Sequence, residues 1–143
     1  MSADQLAAKV AQTMLAREGT GPAWGIEIEE ARQGYSRIRM TVRAEMLNGH
    51  AIAHGGMLFA LADTAFAYAC NSRNLRTVAA QASITFLDQA AEGEMLVAEA
   101  REQVLVGRSG VYNVSVRTSD GRPIAEFQGF SRSLGGSFLD AGE

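Results

Sequence analysis

The order of hydrophobic patterns along this chain predicts an α+β domain in which an antiparallel sheet wraps around one long buried helix. Three observations carry that prediction. The segment GGMLFALADTAFAYAC, Gly55 to Cys70, is almost entirely small or apolar, and a helix apolar on all sides must be covered on most of them. Four strand-like segments follow it in unbroken succession, and consecutive strands favour antiparallel pairing over a doubly wound sheet. A helix and two further strand-like segments precede it.

Each element has its own signal. Ser2 to Arg17 reads as a first helix, with Leu6, Val10, Met14 and neighbouring alanines on one face. The glycines and Pro22 of EGTGPAWG end it. GIEIEEA alternates in its first residues, and YSRIRMTVRA sets Tyr35, Ile38, Met40 and Val42 among polar partners. The turn-rich loop EMLNGHAIAHGG then leads into the apolar helix. After NSRN come TVAAQASITFLD, EMLVAEAREQVLVG, SGVYNVSVRTSD and PIAEFQGFSRSL. An Asp-Gly turn in SDGR, Ser119 to Arg122, marks a hairpin between the last two. The expected organisation is one domain over residues 1–143, with a flexible tail from about 136 to 143. A sheet wrapped around one central helix is the hotdog fold.

Composition narrows the function classes. The chain has 143 residues, enough to bury a real core. Its net charge is −3 with no block of like charge, so no nucleic-acid footprint is present. Cys70 is the only cysteine, which excludes an internal disulfide and suits a reducing compartment. The N-terminus lacks the apolar core of a signal peptide, and the longest apolar run, roughly 15 residues, falls short of a membrane span. A cytoplasmic protein that binds neither membrane nor nucleic acid is expected. Two histidines and one cysteine show no metal-ligand spacing, so no metal site is expected.

Within the apolar helix Asp63 is the anomaly. Removing a carboxylate from water costs several kcal/mol unless something compensates. No Lys or Arg lies between Gly55 and Asn71 to pair with it. Burial without a cation raises a carboxylate's pKa, and such groups concentrate at functional sites. The competing reading is a structural carboxylate bonded to nearby backbone. At the head of the helix stands His54-Gly55-Gly56. Helix N-termini present unpaired N–H groups that would stabilise an oxyanion, whereas the glycine pair alone also fits a tight turn needing positive φ. His54 is a base, a donor or a structural hydrogen-bonder. Asn48 is a turn residue whose amide would also orient a carbonyl or water. Thr64 either holds a water or bonds back to its own helix. Arg108, in VLVGRSG, suits a phosphate or a solvated surface, as do Arg73 and Arg76. Phe59, Phe66 and Tyr68 read as core, Cys70 as an inert thiol.

Spacing adds a constraint. Gly55 and Asp63 are eight positions apart, about 12 Å along one helix. A reacting carbonyl must sit roughly 3 Å from both its oxyanion donor and its attacking group. One chain cannot easily bring both to one atom, but two antiparallel copies of the helix can. If both groups are catalytic, the enzyme is at least a twofold dimer with shared sites.

The stretch LNGHAIAHGGMLFALADTAFAYACNS, Leu47 to Ser72, resembles the signature of the PaaI-type thioesterases of phenylacetic acid degradation, in the hotdog superfamily. An Asn-containing loop, His-Gly-Gly, and an Asp eight residues after the first Gly carry the match. SITFLDQA and a closing SRSLGG extend it more loosely. The resemblance implies hydrolysis of acyl-CoA thioesters, especially aryl and hydroxyphenylacetyl-CoA, to free acid and CoA. Asp63 would be general base or nucleophile and the Gly55 N–H the oxyanion hole. Asn48 and His54 would position thioester or water, Gly56 and Thr64 would contact substrate, and Arg108 would meet the CoA phosphates. No cofactor is implied, since CoA belongs to the substrate. A homotetramer of dimers with intersubunit sites is implied. Some relatives place a Ser or Thr on the first strand after the helix; this chain has Ala79 there. Two alternatives are a non-catalytic acyl-CoA sensor and an enoyl-thioester hydratase. The sensor has little use for an unpaired buried carboxylate. The hydratase relies on a His paired with an acid, and His54 precedes the helix here.

Overall fold

The computed structural model describes residues 1–141. Helix α1 spans Ala3–Arg17 and begins on a capping box: Ser2 Oγ accepts from Gln5 N–H, and Gln5 Oε1 accepts from Ser2 N–H. A short helix α2, Thr20–Trp24, occupies the stretch expected to be a plain break. Pro22 is its third residue, where the missing N–H has no intrahelical acceptor to lose, and Gly25 ends it at φ +66°. Strands β1 (Glu27–Arg32) and β2 (Tyr35–Thr41) follow, then the central helix α3 over Gly55–Cys70. Four strands complete the order: β3 (Leu75–Phe86), β4 (Met95–Val106), β5 (Ser109–Thr118) and β6 (Pro123–Ser137).

The six strands form one sheet in the order β1-β2-β4-β5-β6-β3, and every described pairing is antiparallel. This is the expected hotdog arrangement. Helix α3 lies on the inner face, where Leu58, Leu61, Ala62, Ala65, Phe66 and Ala69 are buried. Small residues on the sheet let it approach. Ala98, Ala100 and Gly129 line that face, and a Cβ on Gly129 would come within 2.8 Å of the Phe66 ring. Phe66 meets Tyr112 edge-on with centroids 5.4 Å apart, and Phe59 meets Phe127 likewise at 5.3 Å.

One stripe of the helix is only partly covered. Ala60, Asp63, Thr64 and Ala67, at helical spacing, are only half-buried. Strand β3 is also incomplete: it lies at the sheet's edge with Leu75, Val78 and Phe86 about half exposed. The outer face of β1, β2 and β4 carries ion pairs instead, such as Arg39–Glu27 and Arg37–Glu29.

The C-terminal stretch differs from expectation. Strand β6 continues through Gly136 and Ser137, Leu139 is buried, and its N–H donates to Asn74 Oδ1 at 2.7 Å. Residues 136–139 are therefore held against the turn after α3 where a flexible tail was expected; residues 142–143 of that expected tail lie outside the described residues. No described helix is long and apolar enough to cross a membrane.

Candidate active site

The loop before α3 is closed by its own backbone. Leu47 bridges Ala53, and Asn48 N–H donates to the Ile52 carbonyl at 2.8 Å. Asn48 Oδ1 accepts from His50 N–H at 2.9 Å and from Ile52 N–H at 3.4 Å. With its oxygen committed to two backbone donors, the side chain can offer a ligand only its NH2. The left-handed residue of the loop is Ala51, at φ 59°. A residue with a Cβ is strained there.

His54 caps α3. Its Nδ1 accepts from Gly56 N–H at 2.8 Å, so in the neutral ring the proton sits on Nε2. The side chain is exposed. Gly55 and Gly56 are the first two helical residues and neither has positive φ, which removes the tight-turn explanation of the pair. Gly56 N–H is used by the cap. Gly55 N–H opens the helix and has no intrahelical acceptor, and Gly55 lines a cavity of about 370 Å³. The cavity is also lined by Asn48, Leu58, Phe86, Asp88 and Gln89. A Cβ on Gly55 would meet Phe86 Cζ at 3.0 Å, so close packing rather than backbone angle is what favours glycine there.

Asp63 lies outside this cavity. It is half-buried, and burial alone raises its carboxyl above the ordinary carboxylate range. Its charge is felt by Cys70, whose thiol burial pushes up to about 12, with Asp63 adding to the rise. That thiol is unreactive near neutral pH. Thr64 Oγ1 donates to the Ala60 carbonyl at 2.7 Å, the back-bonded alternative. Arg108 stands at the opposite end of α3, on a small pocket with Cys70, Arg73, Tyr112 and Ser131. Arg73 is engaged by Glu102.

One chain thus brings together Asn48 and Gly55, with His54 and Gly56 forming the cap behind them. Asp63 with Thr64, and Arg108, occupy two other places. The wall formed by Phe86, Asp88 and Gln89 escaped the sequence reading. Its traces were SITFLDQA, which carries part of the family resemblance, and Phe86-Leu87, two adjacent apolar residues that break the strand alternation.

Comparison with known proteins gives the family. Residues 50–125 match the family model described as the thioesterase superfamily. The acyl-coenzyme A thioesterase PaaI of Escherichia coli (strain K12) is 41% identical over 127 residues, covering 89% of this chain and 91% of that protein. The solved structure of the E. coli PaaI protein from the phenylacetic acid degradation operon superposes with a TM-score of 0.93 at 40% identity, over 95% of this chain and 99% of that one. A hypothetical thioesterase from Streptococcus pneumoniae TIGR4, solved with coenzyme A, gives a TM-score of 0.76 at 26% identity over 78% of this chain and 90% of that one. The chain belongs to the thioesterase superfamily, as a PaaI-type member built on the hotdog fold.

Proposed function

We propose that the protein hydrolyses acyl-CoA thioesters, preferring aryl acyl groups of the phenylacetyl and hydroxyphenylacetyl type, at sites shared between two copies of the chain. The observation that carries this reading is the division of α3. Gly55, whose N–H has no intrahelical acceptor, lines a cavity, while the cation-free carboxylate of Asp63 lies two turns away on a half-open face. Each half of a thioester-cleaving site is present in one chain, too far apart to act on one atom.

Two chains resolve the separation. If two α3 helices pair antiparallel so that Asp63 of one faces Gly55 of the other, the twofold passes midway between them, beside Phe59 and Ala60. Ala60 lies on the half-open face and is small enough for close approach. The edge strand β3, with its exposed apolar residues, offers a second surface to the same partner. By the same symmetry the Cys70 end of one helix falls beside the Asn48 loop of the other, which gives Arg108 a path to the CoA phosphates. Further pairing into a tetramer is supported by Val104, Val106 and Leu134 on the outer face, 48%, 72% and 53% exposed.

In the reaction the thioester carbonyl accepts from Gly55 N–H, and the Asn48 amide donates to the carbonyl or to the attacking water. Asp63 of the second copy removes a proton from that water, or attacks the carbonyl to give a mixed anhydride that water then cleaves. CoA leaves as a thiolate and needs little acid assistance. His54 holds the helix start through its cap, and Thr64 steadies the turn that carries Asp63. The working compartment is the cytoplasm, where acyl-CoA is made.

The test is thiol release from a panel of acyl-CoAs, with Asp63→Asn as control. Release by the native chain and its loss in a folded variant support the reading; no release from any thioester contradicts it. Single-turnover hydrolysis in labelled water separates the two routes, because label in Asp63 requires the anhydride.

A further inference from the structure

The loop 87–94, between β3 and β4, forms one wall of the Gly55 cavity through Leu87, Asp88 and Gln89. Its backbone is tied to β6 at one point, where Leu87 and Asp88 N–H both donate to the Ile124 carbonyl. Its far end is tied to Val42, whose carbonyl accepts from Gly93 N–H and whose N–H donates to the Glu94 carbonyl, and one side chain from the β5–β6 hairpin bridges the two ends. Arg122 Nη1 donates to Asp88 Oδ2 and to the Gln89 carbonyl, both at 2.8 Å, and Nη2 donates to Glu94 Oε2 at 2.6 Å. A single guanidinium therefore grips both ends of the loop. The hairpin fixes Arg122 in turn: its N–H donates to Thr118 Oγ1, and its carbonyl accepts from Thr118 N–H.

The gripped loop reaches the oxyanion donor. Ala90, one residue past Gln89, is buried, and its carbonyl accepts from Ala53 N–H at 2.8 Å. Ala53 is two residues before Gly55. Charge adds a second consequence, since Asp88 borders a cavity where an oxyanion is to develop. An unpaired carboxylate there would oppose that charge, and Arg122 offsets it. Both Asp88 and Glu94 are held below the ordinary carboxylate range, by hydrogen bonds from Arg122 and from loop N–H groups.

We infer that Arg122 is a positioning residue for thioester hydrolysis: through Asp88, Gln89 and Ala90 it sets the cavity wall and the placement of Gly55 N–H, and it neutralises Asp88 beside the developing oxyanion. This inference rests on the proposed function for its effect on rate, though not for the mechanical coupling. Its ion pairs are partly exposed, with Arg122 37% and Asp88 49% accessible at the side chain, and such pairs contribute little to global stability. Loss of Arg122 should therefore separate activity from folding.

The experiment compares Arg122→Gln, Arg122→Lys and the native chain by amide hydrogen exchange at Ala53 and by kcat and KM for an acyl-CoA. Expected for Arg122→Gln are exchange at Ala53 faster by about tenfold, a kcat lower by about tenfold or more, a smaller change in KM, and a nearly unchanged Tm. Lysine keeps the charge but cannot span three acceptors, so Arg122→Lys should recover only part of kcat. Unchanged Ala53 exchange, or an unchanged kcat in either variant, overturns the inference. Should Arg122→Gln not fold, the contrast between Arg122→Lys and the native chain decides on the same two readouts. If the native chain releases no thiol from any acyl-CoA, the proposed function fails, and the exchange at Ala53 alone decides the coupling.

Discussion

Gly55 and Asp63 lie on one helix, yet their surroundings differ in kind. Around Gly55 everything is supplied by the chain itself. His54 caps the helix, the Asn48 loop is cross-braced, Phe86 packs on the glycine, and Arg122 clamps the facing wall. Around Asp63 the chain supplies only burial, on a helix face left half-open beside an unpaired sheet edge. The finished end can be aimed by one chain. The unfinished end derives its reactivity from desolvation, and a second copy would complete it. On the proposed function, the oxyanion donor would sit in a rigid frame and the base would meet it by association.

The largest effect should come from the unfinished end. Asp63→Asn is expected to lower kcat by about 10²–10⁴-fold, the range for loss of a general base, as measured by thiol release. The same variant should be more stable than the native chain near neutral pH. Burial raises the folded-state pKa of Asp63 above its unfolded value of about 3.9, so stability is highest below that value and falls as pH rises through the folded pKa. The neutral amide of the Asp63→Asn variant carries no such penalty. The gain in Tm at pH 7 should therefore vanish toward about pH 3, below the unfolded value. The native rate should fall on acidification with a midpoint above the ordinary carboxylate range, and a normal midpoint would remove the argument from burial.

At the finished end, Asn48→Asp separates frame from function. Aspartate keeps the acceptor for His50 and Ile52 N–H, but it loses the donor and brings negative charge to the oxyanion. A fall in kcat of about 10²–10³-fold with an intact fold is expected, the range for one oxyanion-hole donor. His54→Ala should cost about 1 kcal/mol of stability through the lost cap, whereas His54→Asn, a good capping residue, should restore both stability and activity. Failure of His54→Asn to restore activity would give the ring a direct chemical role. The smallest effect is at Ala51, where Ala51→Gly relieves the left-handed strain and should raise stability by about 1 kcal/mol in denaturant titrations.

What the sequence made legible follows from the range over which each signal acts. The limits of α3 coincide with Gly55 and Cys70 because a glycine pair, an Asn and an unbroken apolar run are all local. Strand number came from alternation in the same way, and the antiparallel class from the unbroken succession of strands. Helix α2 was missed because Pro22 sits where its defect has no cost, which composition alone does not reveal. The end of β6 was missed because Leu139 is held by Asn74, a contact 65 positions apart. The same limit governs the site. Asp63 and Gly55 stood out locally, while Phe86 and Asp88 reach the cavity, and Arg122 its wall, only through the register of distant strands. The sequence also suggested positive φ at the glycine pair, but close packing by Phe86 is what favours glycine at position 55.

The claim that one site draws on two chains is tested most directly by complementation. Asp63→Ala and Gly55→Ala chains are each purified, confirmed inactive, then co-refolded in equal amounts and assayed by thiol release. Half of the resulting dimers are mixed, and each mixed dimer carries one site with both groups intact. Activity should return to about a quarter of the native level. Asn48→Asp in place of Gly55→Ala should give the same recovery, since both lie at the same end of the helix. No recovery in mixtures shown to contain mixed dimers would mean that Gly55 and Asp63 of a single chain serve one site, and would contradict the account.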